Sequence, residues 1–107
     1  MTPEQAIAAL DRQIAAHGQP VKIRQANTAV GEVSARAIVR GMKPEEIAGA
    51  ITQSDRRVVF SPTGIAQILP KSGGFIVIDG APVSIVGKPE LIEVNGVLVR
   101  INVAVRG

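Results

Sequence analysis

The chain of 107 residues contains no cysteine, no tryptophan and no tyrosine, and only two phenylalanines and one histidine. Without cysteine, neither a disulfide nor a thiolate-held metal can staple the fold, and the redox compartment is left open. With so few aromatics, a stacking platform for single-stranded nucleic acid has almost nothing to stack with. One histidine leaves carboxylates to supply nearly all ligands of any zinc site, so no metal and no cofactor is expected. The longest apolar runs fall far short of the roughly 20 residues that cross a bilayer, and the N-terminus lacks a signal-peptide core, which reads as a soluble, unexported chain without membrane contact.

What the chain does contain is Val, Ile, Leu and Ala in β-patterned runs. Residues 97–106 alternate Val97, Val99, Ile101, Val103 and Val105 with Leu98, Arg100, Asn102, Ala104 and Arg106. That period of two asks for a half-buried strand closed against other structure. Twelve Lys and Arg against nine Asp and Glu give a formal charge of +3, an ordinary solubility charge. The cations are scattered from Arg12 to Arg106 with only Arg56 and Arg57 adjacent, so no polybasic tail appears.

The order of elements follows from local signals. Thr2-Pro3-Glu4-Gln5 opens a helix by a capping box with Pro in the first turn, and Ile7, Leu10 and Ile14 give one narrow apolar stripe before Gly18 and Pro20 end it. The expectation is a helix over residues 3–17, long enough to cover a barrel mouth or a sheet face. Strands are expected at 21–25 and 32–39, the second with Val33, Ala35, Ala37 and Val39 on one face and Ser34, Arg36 and Ile38 on the other. Pro44-Glu45-Glu46-Ile47 predicts a short helical turn ended by Gly49, residues 57–60 a strand, and Ser61-Pro62 a cap for a brief helical segment with Ile65, Ile68 and Leu69. Phe75-Ile76-Val77-Ile78 predicts the most buried strand. Asp79-Gly80 and Asn95-Gly96 are type I′ hairpin signals, which predict separate strands around Val83 to Val86 and at Leu91-Ile92-Glu93-Val94 before the terminal strand.

The expected fold is therefore mainly β with one N-terminal helix: a single domain over 1–107, with a β-rich body over 21–106 forming a small antiparallel β-barrel or curled sheet with short helical insertions.

No catalytic constellation emerges. His17 at the helix end suits a terminal interaction with exposed carbonyls. Asp55 with Arg56 and Arg57 can orient an anion, but solvated charges before a strand are the simpler reading. Glu45 and Glu46 diverge by about 100 degrees on a helix and make a poor catalytic pair. Gly73-Gly74 and the two hairpin pairs serve chain reversal rather than phosphate binding. The chain is not expected to be an enzyme.

Three stretches together resemble the head–tail joining, or head-completion, proteins of tailed bacteriophages: Ala37-Ile38-Val39-Arg40-Gly41, the run from Ile51-Thr52-Gln53-Ser54-Asp55 through Thr63, and the terminal run from Asp79-Gly80 to Gly107. The resemblance covers roughly residues 20 to 107. It implies a structural virion protein of the neck, assembled in the host cytoplasm, that joins the portal or connector to tail proteins as a homo-oligomeric ring, and that stays monomeric in isolation where its side contacts are small. Candidate interface residues are Ile38, Arg40, Ile47, Asp55, Arg56 and Leu98. Ile38 and Leu98 are apolar on the wetter faces, where a second core contact is the competing role. Arg36, Arg100 and Arg106 are candidates for lining a DNA passage without reading sequence; for these and Arg40, solvated strand faces are preferred to specific interfacial pairing. Segments 27–31 and 42–62 are expected to supply interface loops. The competing reading is a small basic β-barrel module that binds nucleic acid or a cellular protein complex.

Overall fold

The computed structural model describes residues 1–28, 30–47, 55–65 and 68–107. Helix α1 (Pro3–His17) begins with the full capping box: Gln5 N–H donates to Thr2 Oγ1 at 3.1 Å and Thr2 N–H donates to Gln5 Oε1 at 2.9 Å. Two orphan donors of the first turn are thereby satisfied. The helix stops where Gly18 N–H donates to Ile14 O at 2.7 Å. Chain reversal there is tight: a Cβ on Gly18 would lie 2.5 Å from Ile14 O and 3.0 Å from Ala37 O.

Six strands follow: β1 (Gln19–Arg24), β2 (Val33–Gly41), β3 (Arg56–Phe60), β4 (Phe75–Ile78), β5 (Ala81–Val94) and β6 (Val97–Arg106), with a 3₁₀ turn at Pro44–Glu46 between β2 and β3. They close into an antiparallel barrel in the order β1-β2-β3-β6-β5-β4. Closure removes the two free edges along the body of the barrel, while β5 and β6 run on beyond their pairing with β4 and β3. Inward side chains form one aliphatic core around Phe60, Ile23, Ile76, Ile101, Val58 and Val103, all essentially inaccessible.

Alternation places every second residue outside, and α1 lies on this outer surface. Leu10 and Ile14 bury against Val59 of β3 and Ile38 of β2. Each of these two helix side chains contributes roughly 1.5–3 kcal/mol on burial, which is what fixes an otherwise short helix to the barrel.

Both dipeptide turns are as their sequences predict, with positive φ at Asp79 (52°), Gly80 (80°), Asn95 (51°) and Gly96 (78°), the conformation a type I′ turn requires. One expectation is corrected. The two strands expected at Val83 to Val86 and Leu91 to Val94 are a single long strand, β5, whose pairing with β6 slips between Val86 and Glu90. Gly87 takes φ +68° there, so the chain bulges instead of turning back. A second slip between Ile92 and Glu93 leaves Val99 without an opposite partner on β5 and turns Leu98 toward the barrel core. The apolar face of β6 is accordingly Leu98, Ile101, Val103 and Val105, with Val99 buried beside α1 and Val97 46% exposed. The segment after Ser61 shows turns, with Ile65 N–H donating to Pro62 O and Ile68 N–H to Ile65 O; the expected helical stretch there includes 66–67, which lie outside the described residues. So does the end expected for the 3₁₀ turn at Gly49, together with Ala29 and the rest of 48–54.

Candidate assembly surfaces

Because every neighbouring pair of strands is antiparallel, the β1–β2, β3–β4 and β5–β6 connections gather at one end of the barrel and the β2–β3 and β4–β5 connections at the other. The first end carries the exposed apolar residues Val30, Ile68, Leu91 and Val97; Ile47, 40% exposed at the close of the 3₁₀ turn, belongs to the second.

Charge is organised on the outer wall. Arg40 of β2 grips Glu46 with both terminal nitrogens, at 2.8 and 3.0 Å. Glu46 also accepts from Lys43 N–H at 2.8 Å, and Arg57 of β3 lies in ion contact with it. Arg57 continues to Glu90 of β5 at 3.8 Å, Asn102 Nδ2 donates to Glu90 Oε1 at 2.8 Å, and Arg100 Nε donates to Asn102 Oδ1 at 3.0 Å. A continuous polar chain thus crosses four adjacent strands. The Arg40 hydrogen bonds, then the Lys43 amide, hold the Glu46 carboxyl down at about 2, with the Arg57 charge acting in the same direction.

Arg106 Nε and Nη2 donate to the two oxygens of Asp55 at 2.7 and 2.9 Å, a bidentate fork on a carboxylate that is buried. This corrects one expectation: Asp55 is not a solvated charge ahead of a strand. Arg40 and Arg106 pair within the chain while keeping part of each side chain in solvent. The cause is topology: β3 and β6 lie side by side, so the last arginine reaches the residue that precedes β3 across the wall. Arg24 and Lys22 share Glu32, at 2.8 and 3.2 Å, and depress its carboxyl, Arg24 foremost.

The remaining candidates separate. Ile38 is half-buried under α1 and Leu98 half-buried on the core, so both make the second core contact. Arg56 is half-buried at the start of β3, opposite Gly41 and Val105. Arg36 is exposed and donates to Gly18 O at 2.8 Å. It borders a cleft with Asp11 and Ile14 on the β2 side of α1, whereas Arg100 borders a cleft with Ala9, Leu10 and Gln13 on the β6 side. The helix therefore stands between two of the three arginines assigned to a passage, and the third is held by Asp55. Barrel packing fills the interior, so any passage has to be formed between copies.

No group of side chains among the described residues has the composition of a metal site, and no helix among them is long and apolar enough to cross a membrane. The polar chain escaped sequence reading because its members are scattered between residues 40 and 102; their spacing carries no signal until the strand order is known. No family model, curated protein or solved structure matches the chain.

Proposed function

We propose that this chain is a structural protein of a tailed-phage virion, seated in the neck and joining the head and its portal to the tail as part of a ring. The observation that carries the reading is where the resembling stretches fall. Residues 37–41 lie on β2, residues 56–60 of the second stretch form β3, and the terminal stretch supplies β5 and β6, so segments distant in the chain make four adjoining strands of one wall. The ion-paired outer surface supports the same reading, since Arg24, Arg40, Arg57 and Arg106 are each matched to a carboxylate and do not present a phosphate-binding stripe. Ring contacts fall to Ile47, Arg56, segment 27–31 and the 42–47 part of segment 42–62, since residues 58–61 are buried; 29 and 48–54 lie outside the described residues. Catalysis and cofactors have no part in this role.

The test is imaging of DNA-filled, portal-bearing heads incubated with the purified protein. A symmetric ring added on the portal axis is expected. Heads competent for tail attachment that gain no axial density would overturn the proposal. DNA contact is expected to be sequence-independent and to weaken steeply with salt, with Arg36→Ala and Arg100→Ala reducing it alike for all sequences. Sequence-specific binding that persists at high salt would instead favour a nucleic-acid module.

A further inference from the structure

The β5–β6 hairpin outgrows the barrel. On the β4 side, β5 is paired only from Ala81 to Ser84, with Ile85 N–H donating to Gly74 O at 3.1 Å as the last bond. On the β3 side, β6 is paired only from Ile101 to Val105. The strands run on to Val94 and Val97 as a two-stranded arm at the end where Val30 and Ile68 are exposed. Next to β6 the arm is flanked by α1, through Ala6, Ala9 and Leu10 around Ile92 and Val99. Next to β5, among the described residues, no strand pairs beyond Ser84, and residues 86–94 form an open edge.

We infer that this edge is a docking strand for an extended, basic and aliphatic segment of another protein, which adds to β5 by main-chain hydrogen bonding. A sheet edge presents alternate unpaired N–H and C=O groups, and an extended segment is the ligand that satisfies them. Native edges are blunted by bulges, prolines or lysines. Here Gly87, Lys88 and Pro89 concentrate those devices at the root of the arm, and 90–92 and then 93–94 pair with β6 on either side of the second slip.

Side chains define the occupant. Cross-strand pairing puts Leu91 and Glu93 on the face shared with Ile101 and Leu98, and Glu90, Ile92 and Val94 on the face shared with Asn102, Arg100 and Val97. Leu91 is 52% exposed, so an aliphatic residue opposite it removes apolar surface from water. Glu93 calls for a cation opposite it, and Glu90, whose side chain stays 63% exposed while it accepts from Asn102 and faces Arg57, adds negative charge three positions away, with aliphatic residues between. A second copy of the chain fits badly. Antiparallel pairing of two arms about Ile92 brings Glu93 diagonal to its own mate, and a slip of one residue toward the bulge sets Glu90 opposite Glu93, where like charges repel.

The inference does not rest on the neck role and is tested apart from it. The probe is a short capped peptide with lysines three apart in a valine and threonine background, and the control carries glutamates in place of the lysines. Hydrogen exchange followed by NMR is expected to show the amides of residues 86–94 slowing as the lysine peptide is added. The glutamate peptide is expected to bind roughly fivefold more weakly. Glu93→Lys, at an exposed position, leaves Glu90 as the only carboxylate of the pair and is expected to abolish that preference. Protection elsewhere, no protection at peptide excess, or equal binding of both peptides by the native chain would overturn the inference. Arm-to-arm dimerisation of the peptide-free protein, seen by sedimentation, would assign the edge to a second copy and equally overturn it.

Discussion

At the scale of single residues, the wall depends on carboxylates held by arginines. Glu46 accepts from Arg40 and the Lys43 amide and sits against Arg57, so its removal leaves two guanidinium groups facing each other across the sheet. Glu46→Gln is expected to cost about 1–2 kcal/mol at neutral pH, measured by urea denaturation. The pH dependence has a definite sign. A carboxyl depressed in the folded state stabilises fully above its unfolded value and loses that contribution as pH falls toward its folded value of about 2. The native protein is expected to lose stability between about pH 4.5 and 2, and the glutamine variant to show a shallower acid limb; identical limbs would contradict the assignment. Asp55 gives a second case. Arg106→Ala removes a bidentate cationic partner from a buried carboxylate and is expected to destabilise by about 2–4 kcal/mol, whereas Arg106→Lys retains the charge without the two-pronged geometry and falls between variant and native in thermal melts.

At the scale of elements, α1 is a separable addition to a closed wall. Thr2→Ala removes the side-chain half of the capping box and is expected to cost about 1 kcal/mol. Gly18→Ala forces a Cβ against the Ile14 and Ala37 carbonyls and is expected to cost about 1–3 kcal/mol, with chemical-shift changes confined to the α1–β1 junction. The elements also show what can be read from a sequence. The helix, its cap, β4 and both type I′ turns were legible because each is encoded within a few residues: a capping pair, an apolar run, an Asp-Gly or Asn-Gly dipeptide. The long β5 was not, because Gly87-Lys88-Pro89 looks like a strand break, and only pairing with β6 on both sides turns it into a bulge. Leu98 and Val99 exchanged roles for the same reason, since a slip in register inverts the alternation on which faces are judged. Among the candidate interface residues, Ile47 is exposed, while Asp55 is buried beside a partner 51 residues away.

At the scale of the whole molecule, β6 lies between β3 and β5, so the ring of strands is incomplete without it. It is also the last of the six to be synthesised. Until it emerges, β3 and β5 each keep a bare edge and the aliphatic interior has an open seam, so the nascent chain cannot complete its barrel on the ribosome ahead of those residues. Closing the seam joins positions far apart in sequence, an arrangement that folds in milliseconds to seconds. During that interval the molecule is an open, adhesive sheet. A chain shortened before Val97 would remain so permanently, and the expected phenotype of such a nonsense allele is insoluble protein cleared by proteolysis, not a soluble fragment with partial function.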